Sequence, residues 1–208
     1  MALSTFVKVS GISNLSDARY CAGMGVHVLG FALEKEHSQH IDPEKYTAIT
    51  EWLAGVEFAA EFDTYSPEAI AEALPSYSRI KYLQTSQPQH VAALADLSLP
   101  LIVRLDAYQH REDVVALADV MRDCRDRAKF FLIENTASSP RTDLLNDVLH
   151  LAKQYPILLG FGLQPDRISS TVEEFSLAGI ALRGGEEVRP GYRNFDELAD
   201  VLEALEVE

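Results

Sequence analysis

Glu134 has the residue type and setting best suited to moving protons. It directly follows Phe130-Phe131-Leu132-Ile133, so a carboxylate emerges from an apolar run. Desolvation there is expected to raise its pKa towards the range useful for general acid–base work. The competing expectation is a structural ion pair with an arginine at a neighbouring strand end, such as Arg104. Two glycine-bearing segments suggest anion binding: Gly160-Phe161-Gly162-Leu163-Gln164-Pro165 and Arg183-Gly184-Gly185. Backbone N–H groups in such loops, with a helix dipole behind them, hold phosphates, and Arg183 adds a charge-assisted contact. The same glycines also suit tight turns. His37 and His40 are three residues apart in a polar loop without cysteine, and the other histidines have no companion at ligand spacing, so no metal site is expected. Cys21 and Cys124 lie in helix-like stretches and read as reduced packing residues.

The elements that must position these groups alternate regularly. Short β-branched and apolar runs fall at 5–9, 27–31, 56–61, 79–83, 101–105, 129–133, 157–160 and 179–182. Helical spacing follows each, at 16–24, 43–53, 67–74, 88–97, 112–124, 142–153, 165–175 and 195–205. Asp42-Pro43, Ser66-Pro67, Gln87-Pro88 and Gln164-Pro165 place proline in a first helical turn. Gly23 and Gly25 suit a left-handed cap after the first helix. Strand–helix alternation implies parallel βαβ units, and eight of them make an α/β fold, a single (β/α)8 TIM barrel over residues 1–208. A doubly wound sheet would carry a glycine-rich fingerprint after its first strand, and Ser10-Gly11-Ile12-Ser13 is not one. A barrel works at the C-terminal ends of its strands. That rule selects Ser10, Glu34, Asp63, Gln84, Arg104, Asp106, Glu134, Asn135, 160–162 and 183–186.

Composition narrows the partners. With 32 acidic against 18 basic residues the net charge is −14, which argues against nucleic acid and against an anionic membrane surface. An anionic ligand must then be held by a local device. No run is long enough to span a bilayer, and the first residues turn polar too early for a signal peptide, so a cytoplasmic protein is expected. Apolar stripes on barrel helices do not separate a monomer from a homodimer.

Several motifs resemble the phosphoribosylanthranilate isomerase family. Val7-Lys8-Val9-Ser10-Gly11-Ile12-Ser13 is similar to the family's opening Lys-Ile-Cys-Gly-Ile-Thr. Val28-Leu29-Gly30-Phe31 resembles its Leu-Gly-Phe strand, and Ile41-Asp42-Pro43-Glu44 its Val-Ser-Pro-Glu. The 157–165 segment resembles Gly-Gly-Leu-x-Pro, and 184–191 a diverged Ser-Gly-Val-Glu. The resemblance runs from Val7 to about Glu203. It implies a (β/α)8 barrel acting on a small phosphorylated sugar ligand without a cofactor, by an Amadori rearrangement in tryptophan biosynthesis. In the family a cysteine after strand one is the base and an aspartate after strand six the acid. An arginine after strand two holds the anthranilate carboxylate.

The departures fall on those positions. Ser10 replaces the cysteine, Glu134 the aspartate and Gln39 the arginine. The family's Gln-Leu-His-Gly reads Tyr82-Leu83-Gln84-Thr85, one loop glycine is Phe161, and the strand-eight serine is Arg183. The expected site is therefore Glu134 and Ser10 for catalysis. Gly160, Phe161, Gly162, Arg183, Gly184 and Gly185 would bind phosphate, and Lys8, Gln39, Gln84 and Arg104 the rest of the substrate. Three readings remain open at this point. One is an isomerase of this type with altered catalytic positions, and another a sugar-phosphate-binding relative without chemistry. The third is an enzyme on a different phosphorylated substrate, using Asp63, Asp106 and Glu134 with an Arg104–Arg183 clamp.

Overall fold

A computed structural model describes residues 2–110, 114–136, 142–184, 187–189, 192–193 and 196–207. Eight parallel strands close into a barrel: β1 (Phe6–Ser10), β2 (Val28–Ala32), β3 (Glu57–Phe62), β4 (Ile80–Thr85), β5 (Leu101–Asp106), β6 (Ala128–Glu134), β7 (Ile157–Leu159) and β8 (Gly179–Arg183). The ring shuts where β1 runs alongside β8, with Lys8 opposite Ala181 and Ser10 opposite Arg183. The helices are α1 (Leu15–Gly23), α2 (Pro43–Thr50), α3 (Pro67–Ala73), α4 (Val91–Leu94), α5 (Val114–Cys124), α6 (Thr142–Leu151), α7 (Ile168–Phe175) and α8 (Asp196–Glu203). The expected TIM barrel is present. Two antiparallel additions were not foreseen: Ala2–Leu3 with Glu206–Val207, and Glu187–Arg189 with Tyr192–Arg193 between β8 and α8.

Local chemistry explains where the helices begin. Asn14, Asp42 and Ser66 each accept a hydrogen bond from the backbone N–H three residues on, at 2.9, 2.9 and 3.3 Å, with Pro43 and Pro67 opening their helices. Gly25 takes φ +79° after α1, the left-handed turn expected of it, while Gly23 is simply the helix's last residue. Two expected starts shift. Gln164-Pro165 lies in a turn, and α7 begins at Ile168. The 88–97 stretch is one short α-turn flanked by 3-10 turns, Pro88–His90 and Ala95–Leu97. The start expected at Glu112 lies outside the described residues.

Strand side chains alternate between two cores. One face packs under the helices, through residues such as Val7, Val9, Leu29, Phe31, Leu83, Phe131 and Ile133. The other fills the barrel, with Val28, Ala59, Tyr82, Ile102, Leu132, Leu158 and Ala181. Phe6 plugs the N-terminal end, its ring 4.9 Å from Phe130 and 5.2 Å from His27. Two residues further along, seven of the eight strands turn inward a polar side chain or a glycine: Gly30, Glu61, Gln84, Arg104, Glu134, Gly160 and Arg183. The barrel interior therefore changes from apolar to charged within one repeat. Cys21 and Cys124 are both buried and free, and burial pushes the Cys21 thiol up to about 12. Among the described residues no helix is long and apolar enough to cross a membrane.

Candidate active site

The charged rung opens onto a cavity of about 380 Å³ at the C-terminal ends of the strands. Ser10, Gly11, Ala32, His37, Gln39, Glu61, Asp63, Gln84, Arg104, Glu134, Arg183 and Gly184 line it. The structure thus brings together Ser10, Gln39, Gln84, Arg104, Glu134, Arg183 and Gly184 from the set expected by sequence. Lys8, expected at the substrate, is sealed behind this wall. It is fully buried, donates to Ser10 Oγ at 2.5 Å and forms an ion pair with Glu61. Glu61 was missed. Its signal was a charged residue two positions beyond Ala59, on the face that alternation turns inward.

Two of the other carboxylates serve loops. Glu34 Oε1 accepts the backbone N–H groups of Thr64 and Tyr65, both at 2.6 Å. Asp106 holds Thr136 through its hydroxyl at 2.5 Å and its amide at 3.2 Å. Asp63, by contrast, faces the cavity, accepting from Arg104 Nη1 and Ser86 Oγ at 2.7 Å each. His37 Nδ1 accepts the Gln39 amide at 3.0 Å, which leaves its proton on Nε2, 3.9 Å from Asp63 Oδ2. Gln39 lies against Gly11, whose φ is +70°; a Cβ there would stand 2.9 Å from Gln39 Oε1.

Glu134 is held by two arginines. Arg104 Nε donates to Oε2 at 2.6 Å, while Arg183 takes both oxygens, Nε to Oε1 at 2.9 Å and Nη2 to Oε2 at 2.6 Å. Burial by itself would raise its pKa, as the sequence suggested. The Arg183 hydrogen bonds and the Arg104 charge outweigh burial and hold the carboxyl below its ordinary value. The expected upward shift is therefore corrected, and Glu134 rests as a carboxylate. Asp63 behaves alike: burial opposes, but Ser86, Arg104 and His37 depress its pKa.

A depressed carboxylate contributes stability that is complete above its unfolded pKa and is lost as pH falls through the lowered folded value. For Glu134 the ordinary value is 4.5. Chemical unfolding followed from neutrality to about pH 3 is accordingly expected to lose stability less steeply in Glu134→Gln than in the parent. Equal slopes would mean the arginine contacts contribute nothing.

The glycine loops are partly committed. The Gly160 amide donates to Ile133 O at 2.8 Å and the Gly184 amide to Ser10 O at 2.9 Å, so both extend the strand ladder. Among the described residues the Phe161 and Gly162 amides donate to no backbone oxygen. Gly162 takes φ +66°, and a Cβ on Gly160 would stand 3.0 Å from Glu134 Cγ, so packing also demands glycine at 160. Gly185 and Glu186 lie outside the described residues. Among the described residues no group of three or more His, Cys, Asp or Glu side chains could hold a metal ion.

No family model matches the chain. Individual proteins do. It is 26% identical to the N-(5'-phosphoribosyl)anthranilate isomerase of Synechococcus sp. (strain JA-2-3B'a(2-13)), over 96% of this chain and 90% of that one. With the same enzyme of Geobacter metallireducens it shares 25%, over 94% and 96%. Over nearly its whole length the chain is thus distantly similar to phosphoribosylanthranilate isomerases. Solved phosphoribosylanthranilate isomerases share its fold. The Thermotoga maritima structure superposes with TM-score 0.75 at 20% identity, covering 97% of this chain and 98% of that one. Another, in complex with reduced 1-(o-carboxyphenylamino)-1-deoxyribulose 5-phosphate, gives 0.73 at 19% identity with the same coverage.

Proposed function

We propose that this chain is an isomerase acting on a phosphorylated sugar amine, with Glu134 as the base that takes a proton from C2. The carrying observation is the ionised Glu134 carboxylate at the end of β6, bordering a cavity that could hold a small sugar phosphate. Full-length similarity to phosphoribosylanthranilate isomerases supports the reaction class. In an Amadori rearrangement the ring oxygen gains a proton and leaves C1, and the amine lone pair closes the C1=N bond. A base then removes the C2 proton, giving an enolamine that becomes the ketose. Ser10 accepts its hydrogen bond from Lys8, so its own proton is free to face the cavity and the ring oxygen. Lys8 acts behind it by favouring negative charge on Oγ. The phosphate is assigned to the Phe161 and Gly162 amides and to Arg183, which border a second cavity that shares Arg183 with the first. This proposal exchanges the family's roles, since the resemblance implied a base at position 10 and an acid at 134.

One observation favours a second reading. The cavity's arginines stand on β5 and β8, whereas Gln39, after β2, carries no charge where the resemblance implies a carboxylate clamp. A phosphorylated substrate lacking the aromatic carboxylate would suit that arrangement. The deciding assay follows anthranilate fluorescence on freshly generated phosphoribosylanthranilate. Turnover abolished by Glu134→Gln supports the isomerase reading with this substrate. No turnover at high enzyme concentration overturns it and moves the search to phosphorylated sugars without the anthranilate group.

A further inference from the structure

The two arginines of the cavity are not equally held. Arg104 is fixed by three acceptors, Glu134 at 2.6 Å, Asp63 at 2.7 Å and Ser86 at 3.3 Å, and its side chain is only 20% exposed. Arg183 makes both of its described side-chain hydrogen bonds to Glu134 and is 60% exposed, at the cavity rim. A long side chain with one tether and open solvent beside it turns easily; one pinned on three sides does not.

Charge makes that difference matter. Lys8, Arg104 and Arg183 face Glu61, Asp63 and Glu134, so the rung is balanced as it stands. A doubly charged oxyanion entering it meets two arginines whose donors already point at carboxylates, in a chain of net charge −14. The Nε–Nη2 edge of Arg183 becomes available to it only if the guanidinium leaves Glu134.

We propose that Arg183 is an oxyanion receptor parked on Glu134 in the free protein, and that a phosphate group binds by taking this guanidinium over. Binding of the anion and the Arg183–Glu134 pair are then mutually exclusive. The proposal rests on the isomerase reading in one respect, that the ligand is the phosphorylated substrate of this cavity. It deepens that reading by tying the base to the substrate. Glu134 keeps Arg104, with Asp63 beyond it, Gly160 against its Cγ and Asp106 beside it on the ladder, while Glu61 and His37 line the same cavity. Losing the bidentate partner leaves it more basic, and the phosphate's own charge adds to the effect. The carboxylate would thus be quenched without substrate and released when substrate arrives.

The test needs no turnover. Sulfate is titrated calorimetrically into the full chain near neutral pH at fixed ionic strength. Glu134→Gln keeps the shape but removes the charge that parks the guanidinium, and a charge-assisted pair of this kind predicts sulfate binding about tenfold tighter. Arg183→Met is expected to lose sulfate binding in both backgrounds. Asp63→Asn removes the same charge from the same cavity but from Arg104, and is expected to change affinity less than about threefold. Three results would overturn the proposal: equal tightening in Asp63→Asn and Glu134→Gln, no tightening in Glu134→Gln, or binding retained by Arg183→Met. Absence of sulfate binding in both parent and Glu134→Gln would do the same. If the sulfate pattern holds while phosphoribosylanthranilate is not turned over, anion competition stands and the substrate assignment falls.

Discussion

Lys8→Met is expected to destabilise the protein by about 3–5 kcal/mol, the range for removing one partner of a buried ion pair. Lys8 is fully buried, and its ammonium has two described partners, Glu61 and Ser10 Oγ. Without it Glu61 keeps only the long contact from the Gly11 amide at 3.3 Å, in a wall where water reaches from one side. Partial solvation places the loss nearer the lower bound. In a chain of this length about 1 kcal/mol moves Tm by roughly 2–4 °C, so a fall of roughly 6–20 °C should appear in a thermal melt. Lys8→Met/Glu61→Gln, which removes both charges, should recover at least half of the loss. A double variant as unstable as the single one would assign the effect to packing instead. Gly30→Ala approaches the same pair from the other side. A Cβ there would fall 1.9 Å from Glu61 Oε1 and 2.9 Å from Lys8 Nζ, displacing a carboxylate that Lys8 holds in place.

The barrel was legible because each strand states its own period. Ile102 and Arg104, Leu132 and Glu134, and Ala181 and Arg183 alternate with residues buried under the helices, so inward and outward faces separate by counting. Caps at Asp42 and Ser66 marked two helix starts correctly because a side-chain oxygen and a following proline act within one turn. Pro165 misled for the same local reason: proline fits a turn as readily as a first helical position, and nothing nearby distinguishes them.

The site was only half legible. Strand ends can be read in sequence, so Ser10, Gln84, Arg104, Glu134 and Arg183 are legible there, and all five line the cavity. Their pairing was not, because it depends on which side chains cross the barrel. Arg183 on β8 reaches Glu134 on β6, and Arg104 on β5 reaches both Glu134 and Asp63. One apolar run before Glu134 argued for a raised pKa; two guanidiniums from other strands reverse it. Lys8 illustrates the converse. The resemblance implied substrate contact, but Gly30 leaves a recess in which its ammonium meets Glu61 instead.

Glu134→Gln is expected to lower kcat by roughly 10²–10⁴-fold on any substrate the cavity turns over, the usual cost of losing one general acid–base group. KM should stay or fall, because the substitution frees Arg183 while leaving a neutral amide of the same length. The pH profile then separates the two roles this position can play. A base must be ionised, and a carboxylate held below its ordinary value of 4.5 remains so through neutrality; kcat/KM would decline only on the acid side. An acid must be protonated, and the same depressed pKa would leave almost none of it in that form at neutral pH. A rate that rises as the solution is acidified from neutrality would therefore reverse the assignment. Glu134→Asp adds a distance test: the shorter side chain retains the charge but withdraws it by about 1 Å, which costs on the order of a hundredfold where proton transfer is the demand. Loss of rate in Glu134→Asp comparable with Glu134→Gln would mean that position matters as much as charge. An unchanged rate in both would remove Glu134 from the chemistry and leave its arginine contacts as structure alone.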